Sequence, residues 1–409
     1  MDLFDIIAIL LSLSALFSYI NYRYIRLPTT IGLMLIALVM SLLLIVLGKF
    51  GLGTASDKAA LLLHKIDFDK TVLHGLLSFL LFAGALHVNI NDLREHKRII
   101  ALLAIGGVIM STLIVGVLIW VVFTLLGLDI SIQYCLLFGA LISPTDPIAV
   151  MGILKTAGAP KSLEIKIVGE SLFNDGVGVV LFIVMLELAT GAHGVGTVQI
   201  LLLFIKEAVG GLLLGLAAGV LAYWMLKQVN NYQVEIMITL AVVTGGYALA
   251  DALHLSGPIA VVVAGLLIGN HGRHLAMSEK TREHLDTFWQ LLDEILNAIL
   301  FVLIGLEVLV VPFTPEYMIS GLVAIPVVLM ARFISVAIPV SVLKSLREFT
   351  PNTVQIMTWG GLRGGISVAM ALSLPANAEH DVIVTVTYTV VVFSILVQGL
   401  TIGRLVHRQ

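Results

Sequence analysis

Residues 141–150 read LISPTDPIAV, and residues 168–180 read VGESLFNDGVGVV. Both set carboxylates in apolar surroundings: Asp146 between Pro144 and Pro147, then Glu170 and Asp175. In a membrane each ionised side chain costs about 2.5–3.5 kcal/mol or more, and the prolines break the backbone hydrogen bonding around Asp146. On a helix Ser171 and Asp175 share one face, and Glu170 and Asn174 share the adjacent one. Asp146, Asp175, the Ser171 hydroxyl and an oxygen of Thr145 would make an all-oxygen cage, the donor set that hard cations such as Na+ prefer. Two carboxylates close together in a low dielectric repel, so the site takes up protons when no cation is present. Cation and protons then compete for the same groups, which is the chemistry of an exchanger. Glu170 reads more simply as one half of a buried ion pair. Arg332, in LMARFISVAI, is the first choice of partner and Arg363 the second. Either arginine could also offset the charge of the carboxylate cluster. Asn174 reads as a structural hydrogen-bonder before a ligand, and Ser171 also fits a role in helix packing.

The elements that must position these groups follow from composition. Of 409 residues, 59% are hydrophobic and 12% charged. A soluble protein could not bury that much apolar surface, so the chain is expected to be an all-α polytopic membrane protein. Apolar segments fall near 3–21, 28–48, 69–89, 99–127, 131–153, 163–189, 197–226, 233–253, 256–270, 286–311, 316–343, 353–375 and 381–403, about thirteen transmembrane helices. The first run carries acids where a signal peptide has basic residues, so it is expected to be a retained helix. No polar stretch is long enough for a soluble domain. With the N-terminus outside, sixteen lysines and arginines fall in inside loops and three, Lys49, Lys58 and Lys65, outside. That asymmetry predicts a cytoplasmic C-terminus in a cell (inner) membrane.

Two segments are interrupted, the fifth by SPTDP and the twelfth by WGGLRGG (359–365) around Arg363. Interrupted spans in corresponding halves point to an inverted-repeat transporter with its site at the midplane. An offset of seven makes the equivalent helices run in opposite directions. Helices one to six (about 3–189) would repeat as eight to thirteen (about 233–403), with 197–226 as the connecting helix of a single transporter unit. Broken helices expose backbone groups that membranes tolerate only around a cavity.

Other classes are disfavoured. A net charge of −3 predicts no nucleic-acid partner, and one cysteine, Cys135, excludes a disulfide framework or a cysteine metal cluster. The eleven histidines show no metal spacing, no phosphate-binding GxxxxGK[ST] occurs, and neither the Gly-x-Gly-Asp of intramembrane proteases nor a repeated pore loop is found. No enzymatic activity and no cofactor are expected. Asp293, Glu294 and Glu307 lie near span ends, where solvated or entrance-lining positions are expected.

PTDPIAV, GESLFNDGVGVV, FWQLLDEILNAILFVLIGL (288–306), ARFISV and WGGLRGGISVAMALSLP closely resemble the NhaP-type monovalent cation:proton antiporters, the sodium/proton exchanger family. The resemblance runs from about the second span to the end of the chain. It implies a homodimer of thirteen-helix protomers, each with a core domain moving against a dimerisation domain. It implies Asp175 as the essential carboxylate, Asp146, Ser171 and Thr145 completing the site, and Glu170 paired with Arg332. Asn174 before Asp175 is the pattern of the electroneutral branch, one cation for one proton. Potassium as the main cation, or an uncoupled channel of the same fold, is the alternative. Many members carry an acid in the third span just before an (Ala/Gly)–Gly step. Here FLLFAGALHV has Phe82 and Ala83 instead.

Overall fold

The computed structural model describes residues 3–48, 50, 68, 71–156, 158–190, 197–272, 277–312, 314–344 and 349–406. The loop with Lys49, Lys58 and Lys65 lies outside the described residues. Among those described, every regular element is helical. Described helix falls within each of the thirteen apolar segments, and eight helices are long and apolar enough to cross a membrane. The chain is thus a multi-pass membrane protein.

In chain order these are α1 (Leu3–Ile20) and α2 (Thr29–Leu47), then α3 (Leu77–His87) after a π turn. Helix α4 (Ile90–Leu125) follows, then α5 (Ile132–Ile142), α6 (Ile148–Thr156) and α7 (Lys161–Ala189). Next come α8 (Thr197–Gln228), α9 (Tyr232–Ala252), α10 (Gly257–Leu267), α11 (Glu279–Leu306) and α12 (Pro315–Leu343). The chain ends with α13 (Thr353–Trp359), α14 (Gly365–Leu372) and α15, which begins at Ala378 and runs through a π turn to Val406. The fourth helix starts at Ile90, about two and a half turns before the apolar segment. Asn89 caps it through its side chain, and its first turns, INDLREHKRIIA, are amphipathic.

Both interruptions are real breaks. Pro147 cannot donate to the helix before it, and Pro144 clashes with continued helix, so α5 stops at Ile142 and α6 restarts at Ile148. The second break runs over Gly360–Gly364 between α13 and α14. The eleven residues of α5 reach only about 16 Å at ~1.5 Å per residue, roughly half the ~30 Å hydrocarbon thickness. Neither half-helix spans alone.

Around the breaks lie the most buried helices. α7 packs on α5, on α4 and on α10, and its stretch from Gly169 to Leu172 is fully buried. α12 packs on α4 and α15. By contrast α8 turns large apolar side chains such as Leu213, Leu221 and Trp224 outward, as a lipid-facing helix does.

Candidate functional site

The two breaks meet. The backbone N–H of Asp146 donates to the carbonyl of Leu362 at 2.8 Å, joining one interruption to the other. Four helix ends converge there. The C-termini of α5 and α13 present carbonyls, and the N-termini of α6 and α14 present amides. The chain answers three of these ends with a side chain of matching charge. Asp146 stands just before the N-terminus of α6, where the helix dipole favours an anion. Arg363 reaches from the second break to the end of α5, donating through Nη1 to the carbonyls of Ser143 and, at 3.0 Å, Pro144. Arg332 of α12 donates through Nη2 to the Met357 carbonyl of α13 at 3.2 Å, and Gln398 Nε2 donates to the Trp359 carbonyl at 2.9 Å. Carbonyls that a helix break orphans are thereby satisfied without water.

Glu170 is 1% exposed and meets the same arginine. Arg332 Nη1 donates to its Oε1 and Nη2 to its Oε2 at 3.0 Å, a two-pronged pair that ties α7 to α12. Arg363 forms no ion pair with Glu170 among the described contacts. It serves as the cap of α5.

One turn along, Asn174 holds the first break. Its Oδ1 accepts from the Thr145 backbone N–H at 3.3 Å, and its Nδ2 donates to Thr145 Oγ1 at 2.8 Å. Thr145 Oγ1 also lies 3.0 Å from Ser171 Oγ. Asn174 and Ser171 thus clamp Thr145 to α7, and all three residues are buried.

In front of this clamp opens a cavity of ≈ 120 Å³. Asp146, Asp175 and Thr145 line it, while Ser171, Asn174 and Glu170 do not. The remaining wall is largely apolar: Leu77, Leu80 and Leu81 of the third segment, Leu172 of α7 and Leu300 of α11. The site therefore has a front rank of carboxylates and a rear rank of hydrogen-bonding groups that fixes the break. Gly364 borders it, and a Cβ there would stand 2.6 Å from Asp146 Oδ2. The second break approaches the carboxylate this closely only because residue 364 has no side chain.

Comparison with known proteins gives the lineage of the chain. The family model described as "Sodium/hydrogen exchanger, transmembrane" matches residues 11–408. The chain belongs to the sodium/hydrogen exchanger family. It is 49% identical to the Na(+)/H(+) antiporter NhaP of Pseudomonas aeruginosa over 99% of this chain and 96% of that one. It is 34% identical to the Na(+)/H(+) antiporter NhaH of Halobacillus dabanensis over 100% of this chain and 98% of that one. Among solved structures, the sodium proton antiporter MjNhaP1 from Methanocaldococcus jannaschii superposes with a TM-score of 0.76 at 20% identity, covering 100% of this chain and 98% of that one. The fold is shared.

One feature of this exchanger escapes sequence reasoning. Asp293 of α11, expected at a solvated or entrance-lining span end, is a third carboxylate on the cavity wall. Asp293 lies midway along α11 beside Glu294, and the packing of α11 across the cavity is what brings it to the wall. The third segment matches its sequence, which has Phe82 and Ala83 where many family members carry an acid. Phe82 is buried with its ring 4.7 Å from that of Trp289, and Ala83 is buried beside it. Among the described residues, the third segment adds only apolar side chains and Gly84 to the cavity.

Proposed function

We propose that this chain exchanges sodium, with lithium as a second substrate, for protons across a membrane by alternating access. The observation that carries the reading is the juxtaposition of Asp146 and Asp175 on one cavity at the crossing of two broken helices. Membership of the sodium/hydrogen exchanger family, and full-length relatives named as Na(+)/H(+) antiporters, support sodium over potassium and exchange over an open channel.

In this reading the Asp146 and Asp175 carboxylates and an oxygen of Thr145 hold the dehydrated cation, with Ser171 positioning Thr145. Protons bind the same carboxylates when the cation leaves. Because both ions use one set of groups, the site is loaded by either and the core can reorient only when its charge is matched. Asn174, uncharged, leaves the pair to carry one cation for one proton, so exchange is electroneutral. Glu170, Arg332 and Arg363 hold the breaks and balance charge. The protein is a transporter with no enzymatic chemistry of its own and no cofactor. Helices of 3–189 and 233–403 form the inverted repeats, joined by 197–226. A homodimer in a cell (inner) membrane, N-terminus outside and C-terminus cytoplasmic, completes the proposal.

The test is exchange in proteoliposomes with an internal pH dye, adding sodium, lithium or potassium with the membrane potential clamped or free. The expected outcome is a pH change with sodium that the potential does not alter. Cation current without a pH response would replace the exchanger with a channel, and a response to potassium alone would change the substrate.

A further inference from the structure

Exchange at Asp146 and Asp175 leaves Asp293 without a role, although it stands on the wall of the same ≈ 120 Å³ cavity. A buried water occupies about 10–15 Å³ on this measure, so the space admits more than one ion position. Among the described residues that line it there is no lysine, arginine or histidine. The Asp146 charge acts on both Asp175 and Asp293, so Asp146 is within electrostatic reach of two acids on different helices. Asn297, one turn further along α11, is hydrogen-bonded to Asp293. An ionised carboxylate only accepts, so Asn297 donates through Nδ2 and keeps its Oδ1 nearby. Asn297 is 3% exposed, and that Oδ1 has no partner. This flank of an otherwise apolar wall therefore offers acceptor oxygens from a carboxylate and an amide.

The flank also has a direction. In the proposed topology α7 and α11 enter the membrane from the cytoplasmic side. Val168 precedes Asp175 on α7 by seven residues, and Asp293 precedes Leu300 on α11 by seven. Seven residues of helix span about 10 Å, and all four side chains line the cavity. Val168 and Asp293 thus mark its cytoplasmic flank. Exposure falls inward from there: Glu294 is exposed, Asp293 and Asp146 are half-buried, and Asp175 is 6% exposed.

We propose that Asp293 is a staging ligand, holding the cation that enters from the cytoplasm between itself and Asp146 before the ion passes to Asp146 and Asp175. The proposal rests on the exchanger reading and its orientation. Charge carries the assignment. A water would satisfy Asn297 Oδ1 and the carboxylate oxygens, but it would leave the Asp293 charge uncompensated beside Asp146 in a wall without basic residues. A monovalent cation compensates that charge, and a set of oxygen ligands suits Na+. Because Asp146 belongs to both pairs, the ion exchanges one carboxylate partner for another and is at no point stripped of both water and counter-charge.

The test follows sodium-dependent pH change in everted and in right-side-out membrane vesicles, which present the cytoplasmic and the external face to added sodium. Asp293→Asn keeps the size and removes the charge. It should raise the half-saturating sodium concentration about tenfold in everted vesicles, leave it unchanged in right-side-out vesicles, and keep the maximum rate within about twofold. Asp293→Glu should restore most of the lost affinity. Unchanged affinity at both faces would make Asp293 a bystander. Equal weakening at both faces, or a lost maximum rate, would place it in the exchange site itself or in the packing. Each of these overturns the staging role. Wild-type vesicles without exchange would overturn the exchanger reading instead, and a binding measurement then still decides the staging position. Crystals soaked in thallium(I) should show an anomalous peak between Asp293 and Asp146 that Asp293→Asn loses while the peak at Asp175 stays. Wild-type crystals with no thallium at Asp293 would overturn the proposal.

Discussion

Asp175 and Asn174 are neighbours on one helix, yet only Asp175 faces the cavity, while Asn174 faces the break and clamps Thr145. That division makes separate predictions. Asp175→Asn removes a charge from the cavity without changing side-chain size, so exchange should vanish while the purified protein keeps its elution profile and melting behaviour. Sodium-dependent pH change at wild-type rate would remove Asp175 from the site. Asn174→Asp does two things at once. It adds a buried negative charge, and it deletes the amide that donates to Thr145 Oγ1. The added charge should make the exchange rate respond to membrane potential, and the lost donor should weaken apparent sodium affinity. Exchange that stays indifferent to potential would leave the charge count to other groups. The chemistry-bearing residues were legible in the sequence because a carboxylate in an apolar run is conspicuous. Asp293 was not, because beside Glu294 and after the charged first turns of α11 it reads as part of an ordinary solvated face, and its place on the cavity wall depends on how α11 packs.

Between elements, the crossing is held by caps that come from far away in the chain. Glu170 and Arg332 join α7 to α12, and Arg332 then satisfies a carbonyl of α13. Removing one member of such a buried pair leaves the other uncompensated, at about 3–5 kcal/mol. Glu170→Ala should therefore lower the unfolding temperature in detergent far more than it shifts the sodium concentration for half-maximal exchange. An unchanged melting curve with altered sodium dependence would instead assign Glu170 to the cation site. Gly364→Ala tests the opposite contact. Its methyl group would stand 2.6 Å from Asp146 Oδ2 and must displace the carboxylate or the break, so exchange should fall at least tenfold, with apparent sodium affinity weakened. Full activity would show that the crossing has slack there. The breaks themselves were legible, since proline and clustered glycine interrupt helices for local reasons. The job of Arg363 was not: which carbonyls a break orphans, and which distant side chain reaches them, is decided by tertiary packing. Sequence allowed Arg363 as a second partner for Glu170, and the structure places it on Ser143 and Pro144.

At the scale of the whole molecule, charge distribution and fold make one claim about how the chain sits in the membrane. Lysine and arginine gather in alternate loops, and this bias sets orientation for short loops. If the N-terminus is outside, the loop before α11 is cytoplasmic and the loop before α12 is external. Lys280 and Glu316 mark those two places, and both are exposed. The one native cysteine, Cys135, is buried, so it gives little background to a thiol reagent in the folded protein. In intact cells, Glu316→Cys should react with a membrane-impermeant maleimide and Lys280→Cys should not. After permeabilisation both should react. The reverse pattern would invert the molecule and, with it, the side from which each ion enters the Asp146–Asp175 cavity. Labelling of both positions in intact cells would mean that an odd number of crossings does not separate them, and would remove α11 from the membrane-spanning set. That outcome would matter beyond topology, because α11 carries Asp293 and Leu300 onto the cavity wall. A helix that failed to cross could not close that side of the site against lipid.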